Sequence, residues 1–291
     1  MKIKVLISTL FTLVLVVVFH SDALAWGPGV HIAVGNYLLS NLALIPASMA
    51  GLISSNPNSF LYGCLSADIF IGKGCRYTPE HSHNWTTGFK LLESAQTRQV
   101  KAYAYGYLSH LAADTIAHNY YVPNSLWLTP GKGRLSHIYL EMQADQRVDW
   151  CRKQARNLFR TAKRPEDISL LSTMDKKKFT FLLKKHLYKG SLSICDRKSW
   201  NSSLHFMDRN LPLANNETYL HTMLDLSLRA ALDLLKNTAT SPVRSLDPIG
   251  SRPLSLAKQI RRTNPLRASG RNETKPLFPL DPSLKRLADL N

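Results

Sequence analysis

His110, Asp114 and His118 recur at intervals of four inside a stretch that is otherwise apolar or small, with Tyr107, Leu108, Leu111, Ala112, Ala113, Ile116 and Ala117 around them. That spacing dictates the local structure. An α-helix turns about 100° per residue, so a step of four rotates a side chain by only about 40°. All three groups therefore project along one stripe. His137 and Glu141 repeat the interval on a following helix. Five ionisable groups among apolar side chains are costly to bury without a compensating partner. A hydrogen-bonded core histidine, or an Asp–His pair on a helix surface, accounts for one or two of them. Facing helices of a bundle that hold a metal ion between inward side chains account for all five. Histidine and carboxylate donors, in a chain with no CxxC pair, suit zinc bound without thiolate.

The rest of the chain reads as helix. Apolar positions at helical spacing run from 29 to 54, and Asn56-Pro57-Asn58 breaks them. A second short apolar element is expected over 60–71, and further helices over 84–92, 99–121 (ended by Pro123), 135–160, 175–186 and 217–236. Loops are expected at 72–79 and 129–133. No run of alternating strands appears, so the fold class is all-α, a compact multi-helix domain.

Both ends differ from this core in composition. Lys2 and Lys4 precede an apolar run from Val5 to Phe19, and Ala23-Leu24-Ala25 closes it. This pattern is that of a secretory signal peptide cut after Ala25. The run is shorter than the roughly 20 residues a spanning helix requires. The protein is thus expected to be exported, to the periplasm or the medium, with residues 26–236 as its helical domain. Beyond Asn237, seven of the 15 prolines fall between Pro242 and Pro282. Ten basic residues stand against four acidic ones there, and residues 237–291 read as a disordered basic tail.

The formal charge of +17 is compatible with nucleic acid, anionic lipid or a phosphate ester as partner. A solvated basic surface explains it equally well. Of the four cysteines, Cys64, Cys75, Cys151 and Cys195, Cys64 with Cys75 would close a short loop, and an oxidising compartment allows two disulfides.

Taken in order, the candidate ligands form a longer series. It comprises Trp26-Gly27-Pro28-Gly29-Val30-His31 after the cleavage site, Ala67-Asp68, His83-Asn84-Trp85, Tyr105-Gly106-Tyr107-Leu108-Ser109-His110 through Asp114 to His118-Asn119, and His137 to Glu141. From Trp26 to about Glu141 the chain resembles the zinc-dependent phospholipase C family, which is related in fold to the S1/P1-type nucleases. The short Trp26–His31 interval resembles the nuclease branch, and the closing Glu141 resembles the phospholipase branch. His81 competes with His83 for one position, and the His-x-Trp pattern favours His83.

The resemblance implies three zinc ions (Zn2+). Asp68, His83, His110 and Asp114 would hold the first. His118, His137 and Glu141 would hold the second. The amino nitrogen and carbonyl oxygen of Trp26, with His31 and Asp114, would hold the third. Asp114 would bridge two ions, and Asp68 is the candidate general base. An α-amino group titrates near ~8, well below a lysine, so Trp26 can serve as a neutral ligand once cleavage has freed it. Clustered zinc ions suit hydrolysis of phosphate esters, because paired metals acidify water and hold the leaving and non-bridging oxygens.

The implied function is phosphoric ester hydrolysis, of the phospholipase C type, on phospholipid head groups, with peripheral contact to anionic membrane. The alternatives are an S1/P1-type zinc nuclease or 3′-nucleotidase and a non-catalytic zinc-binding envelope protein. Tyr103, Tyr105, Tyr107, Tyr120, Tyr121, Trp85 and Trp127 would be the base-stacking platforms of a nuclease, although aromatics at helical spacing are usually core.

Overall fold

The computed structural model describes residues 26–70, 81–128, 140, 142–161, 164–194, 217–263, 276–287 and 290. The described residues are helical and contain no strand. The expected signal peptide and the loop at 72–79 lie outside them, as do His137, Glu141, Cys75 and Cys195.

The helices are α1 (Pro28–Ser40), α2 (Ala47–Ser54), α3 (Pro57–Ser66), α4 (Trp85–Glu93), α5 (Arg98–Ile116), α6 (Val122–Leu128), α7 (Arg152–Leu158), α8 (Pro165–Met174), α9 (Lys178–Ile194), α10 (Glu217–Lys236) and α11 (Ser251–Thr263). Their starts follow from local chemistry. Pro28 and Pro57 sit in first turns, where a missing N–H costs nothing. The Asn84 and Thr97 side chains accept from the amides of Thr86 and Val100.

Helix α5 is the axis of the fold and is buried over most of its length. It crosses α3 with the backbones in contact. A Cβ added at Gly106 would lie 1.9 Å from the carbonyl oxygen of Phe60, and one at Gly63 would lie 2.1 Å from that of Tyr103. Only glycine allows this approach. The crossing brings the end of α3, and the 3-10 turn Ala67–Phe70 that carries Asp68, beside His110 on α5. Helix α10 packs on α5, and its buried residues include Met223, Ser227, Ala230 and Leu234, an i, i+4, i+7, i+11 stripe.

Several expected boundaries are corrected. The run 29–54 is two helices, separated by a 3-10 turn at Leu42–Leu44 and by Pro46. Helix α8 was not legible as a separate element. The expected 135–160 helix is interrupted, because the described residues at 147–151 leave the helix between a helical turn at 142–146 and α7. Pro123 does not end the long helix. Ala117–Tyr121 forms a π-helical turn, and Pro123 sits in the first turn of α6. Cys64 is a buried thiol, free among the described residues, and the pairing with Cys75 lies outside them.

The stretch from 237 onward is corrected as well, since its described parts are folded onto the core. Ser241 Oγ and Asn237 Nδ2 both donate to Asp233 on α10, at 2.6 and 2.9 Å, and start the return of the chain. Val243, Ile249, Leu254, Ala257, Leu284 and Leu287 are buried. Asn124 exchanges two hydrogen bonds with the Phe278 backbone. The prolines that suggested disorder open helical turns at Pro242–Ser245 and Pro282–Arg286.

Candidate metal centre

Asp68, His83, His110 and Asp114 each present one ligand atom to a common point, all four within 4.8 Å of one another and all buried. His83 Nε2 lies 3.2 Å from Asp68 Oδ1 and 3.1 Å from Asp114 Oδ2. His110 Nε2 lies 3.1 Å from Asp114 Oδ2, 3.7 Å from Asp68 Oδ1 and 3.1 Å from His83 Nε2. Zinc–nitrogen bonds of about 2.0–2.1 Å at tetrahedral angles set ligand–ligand edges at about 3.3–3.4 Å. The observed edges cluster around that length.

The orientation of these groups favours a cation over mutual hydrogen bonding. Neither oxygen of Asp114 has a hydrogen-bond partner among the described residues, although three imidazole nitrogens lie within 3.2 Å. Apart from the contact between the Nε2 atoms of His110 and His83, the histidines surround the Asp114 carboxylate without hydrogen-bonding to it. Two histidines are also turned outward by a second partner. His110 Nδ1 donates to the carbonyl of Cys64 at 2.8 Å, and His83 Nδ1 meets Ser82 Oγ at 3.1 Å. Such contacts fix the tautomer that leaves Nε2 free to ligate. His81 Nδ1 instead accepts from the His83 amide at 3.0 Å.

Three further sequence candidates adjoin this group. His31 Nε2 lies 3.2 Å from Asp114 Oδ1, and its ring stacks on His110 with centroids 3.8 Å apart. Neither of its ring nitrogens has a hydrogen-bond partner among the described residues. His118 lies on the π-helical turn, its ring 6.1 Å from that of His83. Its Nδ1 donates to the Pro248 carbonyl at 2.5 Å, and its buried Nε2 is unsatisfied among the described residues. Trp26 is buried against Ala113, the residue before Asp114. Its indole N–H is shared between the Ala113 carbonyl at 3.1 Å and Ser227 Oγ at 3.0 Å, and its ring stacks on Tyr121 at 4.8 Å.

The electrostatics follow from burial and from the two carboxylates. Burial depresses His31 and His118. Burial also works against the charged forms of His83 and His110, but Asp114 and Asp68 outweigh it and raise both, His83 to about 9. Burial opposes ionisation of Asp114 too. His110 and His31 overcome it and hold the carboxyl well below the usual carboxylate range. A proton and a metal ion therefore compete for the Nε2 atoms of His83 and His110.

Some of the supporting residues carried no signal in the sequence. Asp145 accepts from the amides of Gly29 and Val30 at 3.0 and 2.9 Å and anchors the start of α1, which carries His31. A cavity of about 680 Å³ near α7, lined in part by Gln99, Lys153 and Arg164, includes none of the cluster residues. The tyrosines expected as stacking platforms are mostly core, for Tyr103, Tyr107, Tyr120 and Tyr121 are all buried. No described helix is long and apolar enough to cross a membrane.

The donor set, the orphaned Asp114 and His118 atoms and the ligand spacing all fit zinc. Residues 30–212 match the family described as zinc dependent phospholipase C. No curated protein and no solved structure matches the chain. The family match spans well over half the sequence and encloses every cluster residue except Trp26, and the chain belongs to the zinc dependent phospholipase C family.

Proposed function

We propose that the mature protein, exported and cleaved before Trp26, is a phosphoric ester hydrolase that releases head groups from phospholipids. The observation that carries this reading is the unsatisfied Asp114 carboxylate within 3.2 Å of His31, His83 and His110. Asp68, His83, His110 and Asp114 would hold the first zinc. His118, with His137 and Glu141, would hold the second. Trp26 and His31 would share a third with Asp114. When bound, the ions supply Lewis acidity toward the phosphoryl oxygens and lower the pKa of water.

The chain's own residues do the remaining work. Asp114 orients the imidazoles from the centre of the cluster. Cys64, Ser82 and Pro248 hold the far nitrogens of His110, His83 and His118, which keeps each Nε2 free. Asp68 presents Oδ1 to the two histidines, and its Oδ2 is the atom proposed to take the proton from the attacking water. Burial of Tyr103, Tyr107, Tyr120 and Tyr121 leaves the half-buried Tyr105 and Trp85 among the described stacking candidates, and this reduced platform for bases supports lipid over nucleic acid.

The test uses the purified mature chain on phosphatidylcholine micelles and on single-stranded DNA, with and without chelator. Chelator-sensitive release of phosphocholine is the expected result. Chelator-sensitive cleavage of DNA alone assigns a nuclease. Zinc binding with neither activity assigns a non-catalytic zinc protein.

A further inference from the structure

Helix α9 has two apolar faces, and among the described residues only one of them is covered. Phe181, Lys185, Tyr188 and Leu192 are buried. The Phe181 ring meets Phe70 at 5.4 Å, Tyr188 meets Phe159 at 5.2 Å, and Lys185 Nζ pairs with Asp167 at 2.6 Å. On the other side Phe179 is 79% exposed, Leu183 53% and Leu187 38%. These three recur at i, i+4 and i+8. At about 100° per residue they span an arc of about 80°, centred about 170° from the buried set. Scattered surface leucines need no explanation. An aligned phenylalanine and two leucines over three turns mark an interaction face.

The charges beside the stripe identify what it meets. On the same helical wheel Lys184 lies to one side of it, and Lys178 and Lys189 lie to the other. From Lys176 to Ile194 there are five lysines besides the buried Lys185 and no acid, with Asp175 directly before them. We propose that this face docks on an anionic lipid bilayer, with Phe179, Leu183 and Leu187 in the interface and the lysine ammonium groups at the phosphate level. A second copy of the chain is a poor occupant, because it would set lysines against lysines.

Docking would also carry the metal centre to its substrate, a consequence that rests on the lipid reading above. The inner face of α9 packs on the turn Ala67–Phe70 that bears Asp68. That turn therefore stands about one helix diameter, ~10–12 Å, behind the docked surface.

The test is co-sedimentation of the mature chain with vesicles of phosphatidylcholine alone or mixed with phosphatidylglycerol. Two variants are compared, Phe179→Ser/Leu183→Ser/Leu187→Ser and Lys178→Glu/Lys189→Glu. The unaltered chain should prefer the phosphatidylglycerol vesicles. The triple variant should lose about tenfold or more in partitioning, and the charge variant should lose the preference. Both should keep the parental melting temperature and zinc content. A triple variant that sediments like its parent overturns the proposal. So does a parent that binds neither vesicle, or one that binds only an acidic protein or itself through this face. Loss of vesicle binding in the triple variant, with no lipid hydrolysis by the parent, upholds docking and rejects the phospholipase reading. Lipid hydrolysis by the parent with unchanged vesicle binding by the variant does the reverse.

Discussion

His118 donates from Nδ1 to the backbone carbonyl of Pro248, 2.5 Å away and 130 residues further along the chain. The returning C-terminal segment thereby sets the tautomer of a candidate ligand. Around that bond Asn119 Nδ2 donates to the Asp247 carbonyl at 2.7 Å, and Trp85 Nε1 donates to the Leu246 carbonyl at 2.9 Å. The π-helical turn at Ala117–Tyr121 is the counterpart on the other side. Such turns insert a residue into a helix and are frequent at functional sites.

Gly250→Ala tests this brace. Gly250 has φ +61°, and a Cβ there would lie 2.4 Å from the His118 carbonyl oxygen. Left-handed backbone costs a non-glycine residue about 1–2 kcal/mol, and the clash adds to it. The variant should lose about 1–3 kcal/mol in urea unfolding and bind less zinc. A variant with parental stability and zinc content would show that the contact does not position His118.

The helical periodicity made the stripe on α5 legible, because spacing alone decides which side chains share a face. It could not reveal the π turn, whose hydrogen bonds to Asp247 and Pro248 come from distant sequence. The folding of the segment after 237 is hidden in the sequence for a related reason. Its prolines and basic residues resemble a disordered chain in composition, but Val243, Ile249 and Leu254 are separated widely enough to hide their shared burial. Asp145 was invisible because its partners, two backbone amides of α1, have no side-chain signature. The Gly63/Gly106 contact, which aligns α3 with α5, is likewise a property of two crossing helices and of neither segment by itself.

Asp114→Asn should lower zinc content and activity together. The carboxylate is the group shared by His31, His83 and His110, and an amide offers one neutral oxygen in its place. Elemental analysis of the purified variant checks the stoichiometry. Retention of every ion would reject a bridging role for Asp114.

Zinc affinity should rise with pH. In the metal-free protein His83 is raised from 6.5 to about 9 by Asp114 and Asp68, which outweigh its burial. Its protonated form therefore stabilises the fold fully below about 6.5, and that contribution is lost as pH rises through about 9. Proton and metal compete for Nε2 across this window, so each displaced proton should change affinity by about tenfold per pH unit. Calorimetry in buffers of different ionisation enthalpy measures the proton release directly. An affinity that does not vary between about pH 7 and 9 would contradict the competition.

One residue inserted before Trp26 of the mature chain should remove a single zinc ion and leave the fold intact. The reasoning separates the two ends of this residue. Its indole is held by Ala113, Ser227 and the stacked Tyr121 ring, none of which involves the amino group. An added residue therefore leaves the ring docked and converts only the amine into an amide, which is a poor ligand. Trp26→Phe makes the opposite change. It keeps the free amine and deletes the shared indole hydrogen bond, leaving the buried Ala113 carbonyl and Ser227 hydroxyl without that donor at a cost of about 1–3 kcal/mol. The extended chain should melt like its parent with fewer ions bound, while the phenylalanine variant should melt lower with the ions retained. Equal zinc stoichiometry in the extended chain and its parent would place the third ion on ligands other than the Trp26 amine.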